Sequence, residues 1–289
     1  MYNTYILFPN FNPVMFYIYN IPIYWYGVMY LLGFIFILYK GKICLKRIGL
    51  KKEEIEHMFY FSFWGLLIGG RLGYVIFYNP LFFLGNFFYI FKVWEGGMSF
   101  HGGLLGVIVA IFYFSKKFSK NFFLISDLIV PFVPFGLGLG RIGNFINGEL
   151  WGRIAPNFYF SVLFPNSKFI DLEISKNNLQ LQLLIHKFGV LPRHPSQIYE
   201  FFLEGVVLFF LLKFFSKKLN IVGVVSGIFL IVYGIFRILV EFFREPDYQI
   251  GFFNHFFTMG QILSIPMVIF GALIIVISIC KNRNFNEMS

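Results

Sequence analysis

Seven apolar stretches of membrane-spanning length divide this chain, and they put it in a bilayer. They lie near Ile21–Tyr39, Glu56–Tyr78, Gly96–Phe114, Phe122–Gly140, Gln197–Leu212, Ile221–Phe243 and Thr258–Cys280. About 20 apolar residues span the hydrocarbon core as a helix. Only 13% of the 289 residues are charged, about half the share usual in a soluble domain, and the mean hydropathy is +0.72. The expected fold is an all-α integral membrane protein. It is a bundle of seven transmembrane helices forming one membrane-embedded domain, 1–289, with a small extracytoplasmic head. The 44 phenylalanines accompany many Lys, Asn, Ile and Tyr residues. That reads as compositional bias and lipid-facing bulk, not as a cofactor box.

Basic residues orient the bundle, because cytoplasmic loops are enriched in Lys and Arg. Lys40, Lys42, Lys46, Arg47, Lys51 and Lys52 follow the first stretch, Lys116, Lys117 and Lys120 the third, and Lys213, Lys217 and Lys218 the fifth. Lys281 and Arg283 lie in the tail, whereas the opposite short loops hold only Lys92 and Arg244. The N-terminus is therefore expected outside and the C-terminus in the cytoplasm. Residues 141–196 form the expected extracytoplasmic subdomain. The net charge of +10 does not point to nucleic acid, because the lysines fall in short loops between apolar segments. The first lysine, Lys40, follows the first apolar run, so no cleaved signal peptide is expected. Cys44 and Cys280 are too isolated for a disulfide framework or a metal site. Gly69 with Gly73, Gly102 with Gly106, Gly136 with Gly140, and Gly223 with Gly227 are small-xxx-small pairs that let helices approach closely.

Charges inside spanning segments are costly and usually functional. Here they are Arg71, Asp127, Glu200, Glu204, Arg237 and Glu241. With Tyr26, His101, Arg141, Asn144, Asn147, Glu149 and the run Arg244, Glu245, Asp247, nearly all fall in the expected outer half. Asp127 is the exception, read as an interfacial or helix-pairing residue. Tyr233, Arg237 and Glu241 share one helix face by their i, i+4, i+8 spacing, and an intrahelical Arg237–Glu241 ion pair is the plain alternative to function. A guanidinium offers a rigid fork of donors that matches phosphate oxygens. Arg141 and Arg237 therefore read as a phosphate clamp, with His101 beside it.

The block GRIGNFINGELWG, 140–152, resembles the signature of the prolipoprotein diacylglyceryl transferase family. FNPV at 11–14, WYGVMYLLGF at 25–34, FHGGLLG at 100–106, RHPSQIYE at 193–200 and YGIFRILVEFFREPD at 233–247 agree with it in order and spacing. The resemblance covers essentially the whole chain. It implies a seven-helix enzyme of the bacterial inner membrane, multi-pass, with its site toward the outer leaflet and with no metal or soluble cofactor. The reaction implied moves diacylglyceryl from phosphatidylglycerol to the lipobox cysteine of a preprolipoprotein signal peptide and releases glycerol-1-phosphate. By motif match, His101, Arg141, Tyr233 and Arg237 are the catalytic candidates. Tyr26, Asn144, Asn147, Glu149, Glu241 and Arg244 are the substrate-binding ones. His101 and Tyr233 compete for the role of general base. Tyr26, Glu149 and Glu241 are expected to orient the arginines or bind the glycerol headgroup. The rival reading is a transporter or channel for a phosphorylated solute. It fares worse, because the expected inner halves of the first, third and sixth stretches are nearly bare of polar residues.

Overall fold

The computed structural model describes residues 5–78, 85–91, 97–246, 251, 253 and 256–287. Lys92, Gly96 and Asp247 lie outside the described residues. The chain is mostly helical, with two small sheets that hydropathy did not suggest. Strands β1 (Ile6–Leu7), β2 (Val14–Ile18) and β3 (Ile21–Tyr24) precede the first long helix, α1 (Trp25–Lys46). Residues 21–24, expected to open the first spanning stretch, instead pair with β2 in an antiparallel hairpin. Their side chains are as apolar as a membrane helix, so a hydropathy window does not separate the two.

The second stretch is α2 (Lys52–Tyr78) and the third is α3 (Phe100–Lys117), which starts where Ser99 Oγ accepts from the Gly102 amide at 3.3 Å. The fourth is α4 (Phe122–Ile129), a 3₁₀ turn (Val130–Phe132) and α5 (Val133–Ile146). Pro131 and Pro134 account for that break, since neither supplies the amide an α-helix needs. After the head comes α8 (Ser196–Glu200), which runs through a π-helical turn, Phe201–Val207, into α9 (Leu208–Lys218). The last two helices are α10 (Val224–Glu241) and α11 (Met259–Glu287).

Among the described residues, five helical segments are long and apolar enough to cross a membrane: Trp25–Lys46, Lys52–Phe77, Phe122–Ile146, Val224–Glu241 and Met259–Asn282. Their outward side chains are apolar too. Ile269, Phe270, Leu273, Val276 and Ile277 of α11 all stand exposed, which suits contact with lipid tails.

Glycines set the closest helix contacts. A Cβ on Gly73 would lie 2.7 Å from the Gly102 Cα, and one on Gly106 would collide with the Gly65 carbonyl. The paired glycines of α2 and α3 thus face each other, and backbone meets backbone without a side chain between. At the end carrying most lysines, Lys120 donates to the Ile48 carbonyl at 3.3 Å, joining the loops after α1 and α3. Asp127 accepts from the Gly223 and Ser226 amides and from Ser226 Oγ at 2.6–2.8 Å. It caps the N-terminus of α10 from α4 and so is a helix-pairing residue.

Residues 141–196 close the other end. They hold β4 (Val162–Leu163), α6 (Lys168–Ser175), α7 (Leu179–Phe188) and β5 (Pro192–Arg193). β4 lies between β1 and β5, parallel to the first and antiparallel to the second. The head therefore borrows a strand from the chain's start. Arg193 and Asp171, both without solvent exposure, pin it together: Arg193 donates to Asp171 Oδ1 from Nη2 at 2.6 Å and from Nε at 2.9 Å.

Candidate functional site

The signature block is the C-terminal half of α5 and the turn that follows it. Asn147 caps α5, Gly148 has φ +61° and Leu150 φ +57°, so the chain reverses sharply in the left-handed region. Two carbonyls of that turn are taken by the RHPSQIYE block: Gln197 Nε2 donates to Glu149 O at 2.7 Å and Ser196 Oγ to Leu150 O at 2.9 Å. Gly152 then passes between two strands of backbone. A Cβ there would sit 2.5 Å from Phe243 O and 2.6 Å from His194 O. Arg153 donates to the carbonyls of Glu241 and Arg244 at 3.1 Å each, closing the C-terminus of α10 with a cation. Three motifs distant in sequence are thereby fastened into one unit.

Inside it, Arg141 of α5 and Arg237 of α10 share two carboxylates, Glu200 and Glu204, which have no solvent exposure. Arg141 Nε lies 3.1 Å from Glu200 Oε2, and its Nη2 lies 3.2 Å from Glu204 Oε2. Arg237 Nη1 donates to Glu200 Oε1 in a short bond and stands 3.8 Å from Glu204 Oε1. Its Nη2 reaches Glu241 Oε1 at 2.5 Å, and the same oxygen accepts from Arg244 Nη1 at 2.9 Å. Thr258 Oγ1 donates to Glu241 Oε2 at 2.7 Å. The intrahelical Arg237–Glu241 pair is thus present as one link of a larger network. Three guanidinium groups meet three carboxylates, so the formal charge of the network balances at zero. Among the described residues Arg141 Nη1 has no protein partner, and its side chain keeps 18% exposure. That nitrogen is the donor left for a ligand.

Other predicted site residues surround this network. His101, in the first turn of α3, lies within electrostatic reach of Arg237 and Glu241. Its Nε2 is buried without a hydrogen-bond partner among the described residues. Tyr233 is 1% exposed and stacks between Phe100 and Phe229, with ring centroids 4.8 and 5.7 Å away. Asn144, Asn147 and Glu149 form a separate set: Glu149 Oε1 accepts from Asn144 at 3.1 Å and from Asn147 at 3.3 Å. Glu149 therefore holds amides and not an arginine, since its own side chain reaches back along α5. Tyr26 donates to Tyr30 Oη at 3.1 Å, and a Cβ on Gly143 would meet the Tyr26 ring at 3.1 Å. An open apolar groove of about 520 Å³ runs beside Tyr26, lined also by Pro22, Ile23, Tyr24 and Asn147. Arg71 lies elsewhere, donating to the Ile90 and Gly97 carbonyls at 3.0 and 3.2 Å. Among the described residues, no three His, Cys, Asp or Glu side chains gather as a metal site.

Sequence reasoning flagged Glu200 and Glu204 as charges inside a spanning segment but did not place them among the candidate site residues. Their i, i+4 spacing opposite two intramembrane arginines was the available signal.

The family model described as Prolipoprotein diacylglyceryl transferase matches residues 13–277, nearly the whole chain. The chain belongs to that family. Relatives named phosphatidylglycerol–prolipoprotein diacylglyceryl transferase support the assignment over full length. The one from Buchnera aphidicola subsp. Baizongia pistaciae is 63% identical over 270 residues, covering 93% of this chain and 96% of the relative. That from Wigglesworthia glossinidia brevipalpis is 54% identical, covering 96% and 99%. That from Erwinia tasmaniensis is 52% identical, covering 96% and 95%. Membership in a transferase family sets aside the solute-transporter reading.

Proposed function

We propose that this chain transfers the diacylglyceryl group of phosphatidylglycerol to the lipobox cysteine thiol of a preprolipoprotein, the first step of lipoprotein maturation. The family match across residues 13–277 carries this reading, and the chemistry of the arginine network supports it. The thiol gives its proton to the free Nε2 of His101. The thiolate sulfur attacks the glyceryl carbon, the C–O bond to phosphate breaks, and the electron pair leaves on the phosphate oxygen. The products are a thioether and glycerol-1-phosphate. Arg141 Nη1 and the Arg237 guanidinium stabilise the charge that develops on that oxygen, in a site where water is scarce. Asn144, Asn147, Glu149 and Tyr26 read the glycerol headgroup, and Glu241 and Arg244 hold Arg237 in place.

Seven spanning helices complete the arrangement, with α3 and the α8–α9 segment added to the five long apolar ones. The lysine-rich end faces the cytoplasm of a bacterial inner membrane. The head at 141–196 and the arginine network face the outer leaflet, where exported preprolipoproteins present their cysteine.

The test is transfer of labelled diacylglyceryl from phosphatidylglycerol to a synthetic lipobox peptide by the purified protein. Transfer to the cysteine peptide, with none to its serine counterpart, is expected. Absence of label on both peptides contradicts the proposal.

A further inference from the structure

Glu241 of α10 carries two arginines on one oxygen. Its Oε1 lies 2.5 Å from Arg237 Nη2 and 2.9 Å from Arg244 Nη1. A carboxylate turns easily about the bond that carries it, so two cations on Oε1 do not by themselves fix its plane. The second oxygen is held from another helix. Thr258 Oγ1 donates to Glu241 Oε2 at 2.7 Å, and both residues are buried.

Thr258 is itself held in place. It precedes α11 and forms a reciprocal cap with Gln261. The Gln261 amide donates to Thr258 Oγ1 at 3.3 Å, and the Thr258 amide donates to Gln261 Oε1 at 3.1 Å. The hydroxyl oxygen accepts from the cap, which leaves its proton for Glu241. The first turn of α11 also crowds the carboxylate: a Cβ on Gly260 would lie 2.6 Å from Glu241 Oε1 and 2.7 Å from its Cδ. A helix start carries partial positive charge, which favours a carboxylate there. Further along, α10 and α11 meet closely. A Cβ on Gly227 would lie 2.8 Å from the Gly271 carbonyl oxygen, and one on Gly234 would lie 3.1 Å from that of Ser264. That packing fixes the height of Thr258 against Glu241.

Arg237 spans two carboxylates, Glu200 at Nη1 and Glu241 at Nη2. With both ends of the fork held, its plane is set. With the Glu241 end loose, the fork can turn about its bond to Glu200. We propose that the first turn of α11 sets the aim of Arg237, with Thr258 as a positioning residue that acts through Glu241. Thr258 touches neither the lipid phosphate nor the attacking thiol. Its hydroxyl holds the Glu241 carboxylate, and Glu241 holds the guanidinium toward the leaving phosphate oxygen. The charge that Arg237 meets develops only as the C–O bond breaks, so misaiming it costs turnover and not lipid binding. This inference rests on the transfer reaction proposed above, because it needs a leaving group for Arg237 to stabilise.

The experiment measures kcat and KM for phosphatidylglycerol in the wild type, Thr258→Val, Thr258→Ser, Gly260→Ala and Gln261→Leu, with a thermal melt on each. Thr258→Val keeps the shape and removes the hydroxyl. Its kcat should fall about tenfold or more, the scale of a catalytic group displaced by a fraction of an ångström, while KM stays within about threefold. Thr258→Ser restores the donor and should return kcat to within about threefold of the wild type. Gly260→Ala keeps the cap and pushes on Glu241 directly, so it should lower kcat in the same way; it carries the test if Thr258→Val does not fold. Gln261→Leu weakens the helix start without touching the hydroxyl's bond to Glu241. It should lower the melting temperature and spare kcat. Wild-type kcat in a folded Thr258→Val or in Gly260→Ala overturns the inference. So does a Thr258→Ser enzyme as slow as Thr258→Val, or a Gln261→Leu enzyme as slow as both. A wild type that transfers nothing defeats the parent reading, whereas an active wild type with unaffected variants defeats only this one.

Discussion

Replacing Arg141 by lysine keeps the charge and removes the fork. In the present geometry the guanidinium spends Nε on Glu200 at 3.1 Å and Nη2 on Glu204 at 3.2 Å, and leaves Nη1 outward. An ammonium has a single nitrogen on a flexible stem, so it cannot reach two carboxylates and a phosphate along three directions at once. A charged hydrogen bond contributes about 1.5–3 kcal/mol, and losing one donor to a developing oxyanion costs about 2.7–4 kcal/mol. If the lysine stays on the buried carboxylates, the phosphate loses its donor, and kcat should fall by about 10²–10³. Because the lysine still neutralises Glu200 or Glu204, the protein should remain folded and in the membrane, unlike Arg141→Ala, which strands two buried carboxylates. The assay is single-turnover transfer from labelled phosphatidylglycerol, with a melt on the same preparation. A folded Arg141→Lys enzyme within about threefold of the wild-type rate would refute the idea that this arginine stabilises the transition state.

Four further outcomes follow from the same contacts. His101→Gln should abolish turnover while phosphatidylglycerol still binds, as read by lipid retained on the purified protein; loss of binding with it would place His101 in the headgroup pocket. Asp171→Ala should strip buried Arg193 of two charged hydrogen bonds, leaving it Glu245 and the Gly152 carbonyl, and lower stability by about 1.5–3 kcal/mol, measured by denaturant or thermal unfolding. Gly106→Ala should push α3 off the Gly65 carbonyl and cost about 1–3 kcal/mol in the same assay. Burial holds the His194 imidazole below its ordinary range, so the unfolded chain takes up a proton there more readily than the folded one. Stability should therefore fall as the pH drops through the unfolded value of about 6.5 and stay level above it, and His194→Gln should lose that part of the slope.

The membrane-spanning architecture was readable because a bilayer imposes a length and a composition on each segment, as α2, α10 and α11 show. The hairpin at 14–24 was not readable. Residues such as Phe16, Ile18 and Ile21 are as apolar as a spanning helix, and only pairing geometry separates the two states. The candidate site was half visible. Arg141, Arg237, Glu241 and Arg244 stood out as charges in apolar surroundings, and the structure joins them. The other half was hidden in partners supplied from a distance. Glu200 and Glu204 stood out only as intramembrane charges without a partner in view, until Arg141 and Arg237 closed around them, 63 residues from Glu204 and 37 from Glu200. Asp171 sat in an Asn- and Lys-rich stretch with no motif, yet it anchors Arg193 across 22 residues. Apart from the i, i+4 spacing of the two glutamates, long-range ion pairing of this kind leaves no local signal of which partners will meet.

The most direct test of the arginine network is a high-resolution structure of the protein with phosphatidylglycerol bound. The account predicts the lipid phosphate within hydrogen-bond distance of the outward nitrogen of Arg141, and the glyceryl carbon open to a thiol on the His101 side. A phosphate bound away from both Arg141 and Arg237, for example in the apolar groove beside Tyr26, would contradict it.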